Sequence, residues 1–233
     1  MGTSKGYIPP KNEQWKRAKG AVTRMAKGTN GNTGVGKAIS KYADAYMSTH
    51  LGKSNVAVVA GNVMNFINSV QRNGIISAAE NIGIDTLLNK TGQELYKGLI
   101  DYFARDINTT DMQIIRKSLS DTLKRLEINQ FKDLEEIDSE EFLLEFIIQF
   151  AIQNFETCFS EKIFSNQSLS DNYDRLMSQV SSAIENRIVA DVQLEKKLDL
   201  DYASPEGQKY ISSVCRECYD KLKKMEGQYE DLD

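Results

Sequence analysis

Apolar residues recur at intervals of three and four along most of the chain, the period of one face of an α-helix. From Val35, the residues Ile39, Tyr42, Ala43 and Tyr46 form one stripe, and Leu51-Gly52 supplies a stop. A second helix is expected after a cap at Ser54, with Val56, Val59, Val63, Phe66, Ile67 and Val70 on one face and Asn73-Gly74 at its end. Ala57, Ala60 and Gly61 would let a neighbour pack closely there. Residues 75–90 read as two short helical turns broken at Gly83, and residues 92–104 as a helix with Leu95, Leu99, Ile100 and Phe103 on its stripe. Thr109-Thr110-Asp111 can cap the next helix, where Met112, Ile115, Leu119, Leu123 and Leu126 repeat up to Ile128.

Asp138-Ser139-Glu140-Glu141 has the form of a capping box opening a long helix. Phe142, Leu143, Phe146, Ile147, Phe150, Ala151, Ile152 and Phe155 cover so much of its circumference that it is expected to be the most buried element. Residues 169–198 carry Tyr173, Leu176, Met177, Val180, Ile184, Ile188 and Val192 at helical spacing. Ser204-Pro205-Glu206 pairs a cap with a proline in the first turn, starting a helix to about Glu226. The pattern predicts an all-α fold, a multi-helix bundle.

The first 33 residues break this pattern. Gly, Pro, Lys, Asn and Thr predominate, with too little apolar surface to offset the entropy cost of order. Residues 1–33 are therefore expected as a flexible basic N-terminal tail and residues 34–233 as the helical body, with a subdivision near 130–138. Within the tail, Trp15, Ala18, Val22 and Met25 allow a short helix over residues 13–25, provided it finds a partner. The whole chain has only three prolines, and seven of its 15 glycines fall within the first 36 residues, so the rest has few helix breakers.

No secretory signal opens the sequence, and the most apolar run, residues 142–155, is interrupted by Glu145, Gln149, Gln153 and Asn154. With three cysteines, an odd number suited to a reducing compartment, the expectation is a soluble cytoplasmic protein with no membrane contact. Charge is unevenly spread. Through Lys53 there are ten Lys/Arg against Glu13 and Asp44, a net of +8, so that residues 54–233 carry −12 within a total of −4.

Few residues offer chemistry. Gly31-Asn32-Thr33-Gly34-Val35-Gly36-Lys37 fits seven positions of the phosphate-cradling loop, but Ala38 stands where Ser or Thr would hold magnesium, and no buried strand precedes it. A glycine linker entering a helix accounts for the same residues. Cys215 and Cys218 have half-site spacing, yet only Cys158 and His50 remain to complete a zinc set, and their helical context favours two half-buried thiols. His50 sits at a helix end, where histidine commonly meets terminal carbonyls, and the acids of residues 133–145 read as solvated groups at a helix start. No catalytic residue, metal site or cofactor is assigned.

The basic head has two readings. Lys16, Arg17, Lys19 and Arg24 are candidate contacts for nucleic acid or for an acidic protein partner, with Tyr7 and Trp15 available to stack on bases. Gly2 is the other. A small residue at position 2 normally permits removal of Met1, exposing a glycine amine whose pKa of about 7.7–8.0 leaves part of it nucleophilic at neutral pH. Myristoylation would want Ser or Thr at position 6, where this chain has Gly6.

Several stretches in order resemble the QatB family of the bacterial Qat antiphage defence system. They are Met1-Gly2-Thr3-Ser4 with its Gly/Pro-containing tail, Gly36-Lys37-Ala38-Ile39-Ser40-Lys41-Tyr42, Leu51-Gly52-Lys53-Ser54, the run from Leu87-Leu88 through Leu99-Ile100-Asp101 to Ala104, Asn108-Thr109-Thr110-Asp111 to Leu123, and the helix over 142–163. Family members often carry a longer tail with a Pro-Pro-Trp element, whereas Pro9-Pro10 and Trp15 are separated here. The resemblance implies a non-enzymatic component working with a QatA-type ATPase, a QueC-like QatC-type protein and a TatD-like nuclease. It implies further that Gly2 is the residue conjugated, with Thr3, Ser4, Lys5, Gly6 and Tyr7 as the tail segment bound by the partner. The alternative is a nucleic-acid-binding adaptor that recruits the nuclease through its basic region.

Overall fold

The structure, a computed structural model, describes residues 10–28, 33–105, 109–166, 170–194 and 200–225. Nine α-helices and no strand occur among the described residues, as the all-α pattern requires. They are α1 (Glu13–Ala26), α2 (Thr33–Thr49), α3 (Val56–Asn73), α4 (Ile75–Ile82), α5 (Gly92–Phe103), α6 (Thr110–Arg125), α7 (Ser139–Phe164), α8 (Ser170–Asp191) and α9 (Pro205–Lys223). Short 3₁₀ turns follow α2, α4 and α6 at Leu51–Lys53, Asp85–Leu87 and Phe131–Glu135.

The chain forms two compact units. Unit 1 comprises Met1–Lys53, Ala151–Gln193 and Cys215–Asp233; unit 2 comprises Ser54–Phe150 and Leu194–Val214. The turn at 130–138, where the sequence suggests a subdivision, lies wholly within unit 2. Helix α7 gives residues 139–150 to unit 2 and residues 151–164 to unit 1, which is why its sequence is apolar on every side. Phe142, Phe146 and Phe150 are fully buried in its first half, and Phe155 and Ile163 in its second.

Helix ends follow local chemistry. Thr109 Oγ1 accepts from the Met112 N–H at 3.2 Å, and Ser204 Oγ accepts from the Gly207 N–H at 3.1 Å behind the first-turn proline of α9. Gly83 ends α4 with φ +73°, a left-handed conformation that favours glycine. The Asp138 carboxylate accepts from the Glu140 and Glu141 amides at 2.9 and 3.4 Å, the first half of the expected box.

In unit 2, Gly61 of α3 touches the Tyr202 carbonyl so closely that a Cβ there would collide with it. Asn65, one turn on, completes the fastening: its Oδ1 accepts from the Tyr202 N–H at 2.8 Å and its Nδ2 donates to Asp201. Asp111 of α6 likewise holds the start of α3, accepting from the Ser54 hydroxyl at 2.9 Å and the Asn55 amide at 3.2 Å.

Candidate functional site: the rooted N-terminal helix

Residues 13–26 of the stretch expected as tail form α1, and its apolar face is buried because Trp15, Ala18, Val22 and Met25 fall on one side of the helix. Its partner is α2, with which it makes the most extensive helix–helix contact among the described residues. Asn12 begins it, the side chain accepting from the Trp15 N–H at 2.9 Å. Gly2, Thr3, Ser4, Lys5, Gly6 and Tyr7 lie outside the described residues.

Trp15 is the root of the helix, with no exposed surface. Its indole Nε1–H donates to Thr49 Oγ1 at 3.0 Å, near the last turn of α2. The Thr49 hydroxyl is also 2.7 Å from the Ala45 carbonyl and 2.6 Å from Nδ1 of His50. Its single proton goes to Ala45 when His50 carries hydrogen on Nδ1, so Thr49 then accepts from both rings. The imidazole packs at 5.7 Å edge-on to Trp15 and stacks at 5.6 Å on Tyr46. His50 is thus part of an aromatic wall.

The wall continues inward. Tyr42 and Tyr219 share a hydroxyl–hydroxyl bond of 3.1 Å and are both fully inside unit 1. Burial pushes both phenols well above their usual range, so they stay protonated. Asp44 pairs with Lys223 at 2.7 Å, and the Ser40 hydroxyl donates to the Lys223 carbonyl at 2.6 Å, fastening the end of α9 onto α2.

The four cations read from the sequence do not share one environment. Lys16, Arg17 and Arg24 are exposed, with Lys27 on the same side, whereas Lys19 is half-buried toward Cys158. Arg17 is already 3.5 Å from Glu13 in an i,i+4 pair. What the structure brings together is therefore a cationic outer face of Lys16, Arg17, Arg24 and Lys27, opposite the Trp15 root.

The other motifs resolve as packing. The phosphate-loop imitation runs into the first turns of α2, preceded by α1 rather than by a strand, and Ala38 is fully buried. Cys215 and Cys218 are buried free thiols in mid-α9; burial pushes Cys215 up to about 12 and Cys218 higher still. No group of metal-ligating side chains occurs among the described residues. Glu140 departs from the reading of a solvated acid: it is buried, its two oxygens accepting from the Tyr202 and Ser139 hydroxyls at 2.9 and 2.8 Å. Tyr202, one of its two hydroxyl partners, lies 62 residues on, and nothing local to 133–145 announces that contact. No described helix is long and apolar enough to cross a membrane.

Residues 44–222 match the model of one family, described as Qat anti-phage system associated protein QatB. No curated protein and no solved structure matches the chain.

Proposed function

The chain belongs to the QatB family and so has a role in the Qat anti-phage system, and on that premise we propose that it acts there as scaffold and as protein substrate. The helical body binds the other components. The segment ahead of α1 delivers the amine of Gly2 into the active site of a QueC-like partner. No catalysis is assigned to this chain; the chemistry lies in the partner, with the ATPase and TatD-like nuclease as further components of the assembly.

The observation that carries this reading is the rooting of α1. A reactive terminus carried on a wholly unanchored chain would be presented at no defined place. Here the buried Trp15 and the Asn12 cap fix the point from which the preceding residues depart. Gly2 lies ten residues before that cap, a reach of at most about 33–36 Å when extended, enough to enter a deep active site. Glycine, with no side chain, suits a narrow one.

The reaction resembles the partner class's ordinary chemistry. A deazapurine carboxylate is activated by ATP as its acyl-adenylate with release of pyrophosphate. The Gly2 nitrogen takes the place of ammonia and attacks the carbonyl carbon; the bond to AMP breaks, an amide forms, and the amine proton passes to solvent. Deletion of residues 3–7 should abolish conjugation and protection from phage while leaving the helical content unchanged. Full conjugation of that shortened chain would refute the tether role.

A further inference from the structure

The exposed side of α1 carries Lys16, Arg17, Arg24 and Lys27, at spacings that return to one side of a helix, with Gly20 in the place between them. With no side chain at Gly20, the Arg24 guanidinium lies back over the backbone, 3.6 Å from where a Cβ would stand, so nothing bulky interrupts the row. The row spans about 16 Å from Lys16 to Lys27 at 1.5 Å per residue. Glu13 is the one acid of the helix, and it pairs with Arg17. Lys16 and Lys27 have no ion-pair partner among the described residues.

Position and charge balance select what this face meets. A protein that holds Gly2 lies within about 33–36 Å of the Asn12 cap, and the first cation of the row, Lys16, follows closely behind that cap. Residues 1–53 carry +8 and residues 54–233 carry −12, so an acidic surface is drawn to this end of the chain and repelled by the rest. Nucleic acid fits less well. Trp15, the ring that would stack on a base, is wholly buried with its N–H engaged by Thr49, and a phosphate backbone, charged at every nucleotide, would meet Glu13 as well. A protein surface places its carboxylates singly and leaves Glu13 uncovered.

We propose that the exposed face of α1 is the docking surface for the partner that receives Gly2, and that this partner meets Lys16, Arg17, Arg24 and Lys27 with carboxylates set around the mouth of its active site. The identity of that partner rests on the reading of Gly2 as the conjugated residue, whereas the role of the charges is measured on binding, apart from the reaction. Charges at an exposed rim speed encounter and fix orientation more than they deepen affinity. They govern capture, so conjugation given time to finish reaches the same yield.

Binding kinetics of the full chain on the immobilised QueC-like partner, at about 50 and 300 mM salt, test this. The association rate should fall by about tenfold or more over that range, and by about tenfold in Lys16→Glu combined with Lys27→Glu, with little change in dissociation. Lys16→Gln with Lys27→Gln, which adds no acid to the helix, should lie between that variant and the wild type. Lys97→Glu with Lys209→Glu changes the net charge equally at exposed positions of unit 2 and should leave the rate near that of the wild type. Carbodiimide coupling should join Lys16 or Lys27 to Asp or Glu of the partner. The assignment is overturned if the chain does not bind the partner, if its association is indifferent to salt and to the α1 substitutions, or if the unit 2 pair slows it as much. Loss of oligonucleotide binding in the α1 variants with partner binding intact would overturn it too. Charge-dependent binding with no conjugate on Gly2 would keep the docking face and remove the reading of Gly2.

Discussion

Trp15 donates its indole N–H to the Thr49 hydroxyl across 3.0 Å, tying the N-terminal helix to the last turn of α2. Trp15→Ala should destabilise unit 1 by about 3–5 kcal/mol, because a large, fully buried side chain leaves a cavity. Thr49→Val should cost about 1–3 kcal/mol by leaving a buried N–H unpaired. Trp15→Phe combined with Thr49→Val should cost less than the sum of the single changes, since one bond is removed in each. Chemical denaturation of the four proteins measures this coupling.

Gly61→Ala should destabilise unit 2 by about 1–3 kcal/mol, because its methyl group would meet the Tyr202 carbonyl, a backbone atom that cannot swing aside. Ala57→Gly, at a buried position of the same helix, should cost about 1 kcal/mol from helix propensity and less than about 1 kcal/mol more for the lost methyl burial. Thermal melts followed by circular dichroism separate the two.

Stability should fall in alkali. The folded chain holds the Cys215 thiol up to about 12, against an ordinary 9.0, because burial disfavours the thiolate. A raised folded pKa means that the unfolded chain loses its proton first, so this contribution is complete below pH 9 and is lost as pH rises toward about 12. Tyr42 and Tyr219 act in the same direction above their ordinary value of 10.0. Denaturation midpoints measured from pH 8 to 11 should decline, with a smaller decline in Cys215→Ala. Below pH 9 the native thiols should also resist aromatic disulfide reagents.

The cationic face of α1 is surface, so Lys16→Ala, Arg17→Ala and Arg24→Ala together should change stability by about 0.5 kcal/mol or less each. If the face meets nucleic acid, the wild-type chain should bind it at low salt with an affinity that declines steeply as salt rises, and the triple variant should not. The scaffold reading predicts no such binding and an unchanged yield of Gly2 conjugate.

What was legible in the sequence was what neighbouring residues decide. The Thr109 cap, the Ser204-Pro205 start, the Gly83 stop and the apolar circumference of α7 depend on residues a few places apart, and each appears where the pattern puts it. Trp15 was legible as one member of a helical stripe, but its partner Thr49 lies 34 residues on, and the sequence alone therefore left α1 as a helix in need of a partner. Glu140 and Tyr202 are 62 residues apart, which is why an acid that looks solvated turns out buried. Asn68 is the extreme case: its orphaned oxygen is defined by what fails to reach it, and no spacing rule registers that.

The central claim, that Gly2 is the conjugated residue, is tested most directly by intact-mass measurement of this chain produced together with the other Qat components, followed by fragmentation of its N-terminal peptide. Expected are loss of Met1, an added acyl mass of the deazapurine on the Gly2 nitrogen, and none on chain made alone or on Gly2→Pro. An unmodified N-terminal peptide from the co-produced, phage-protective system would contradict it.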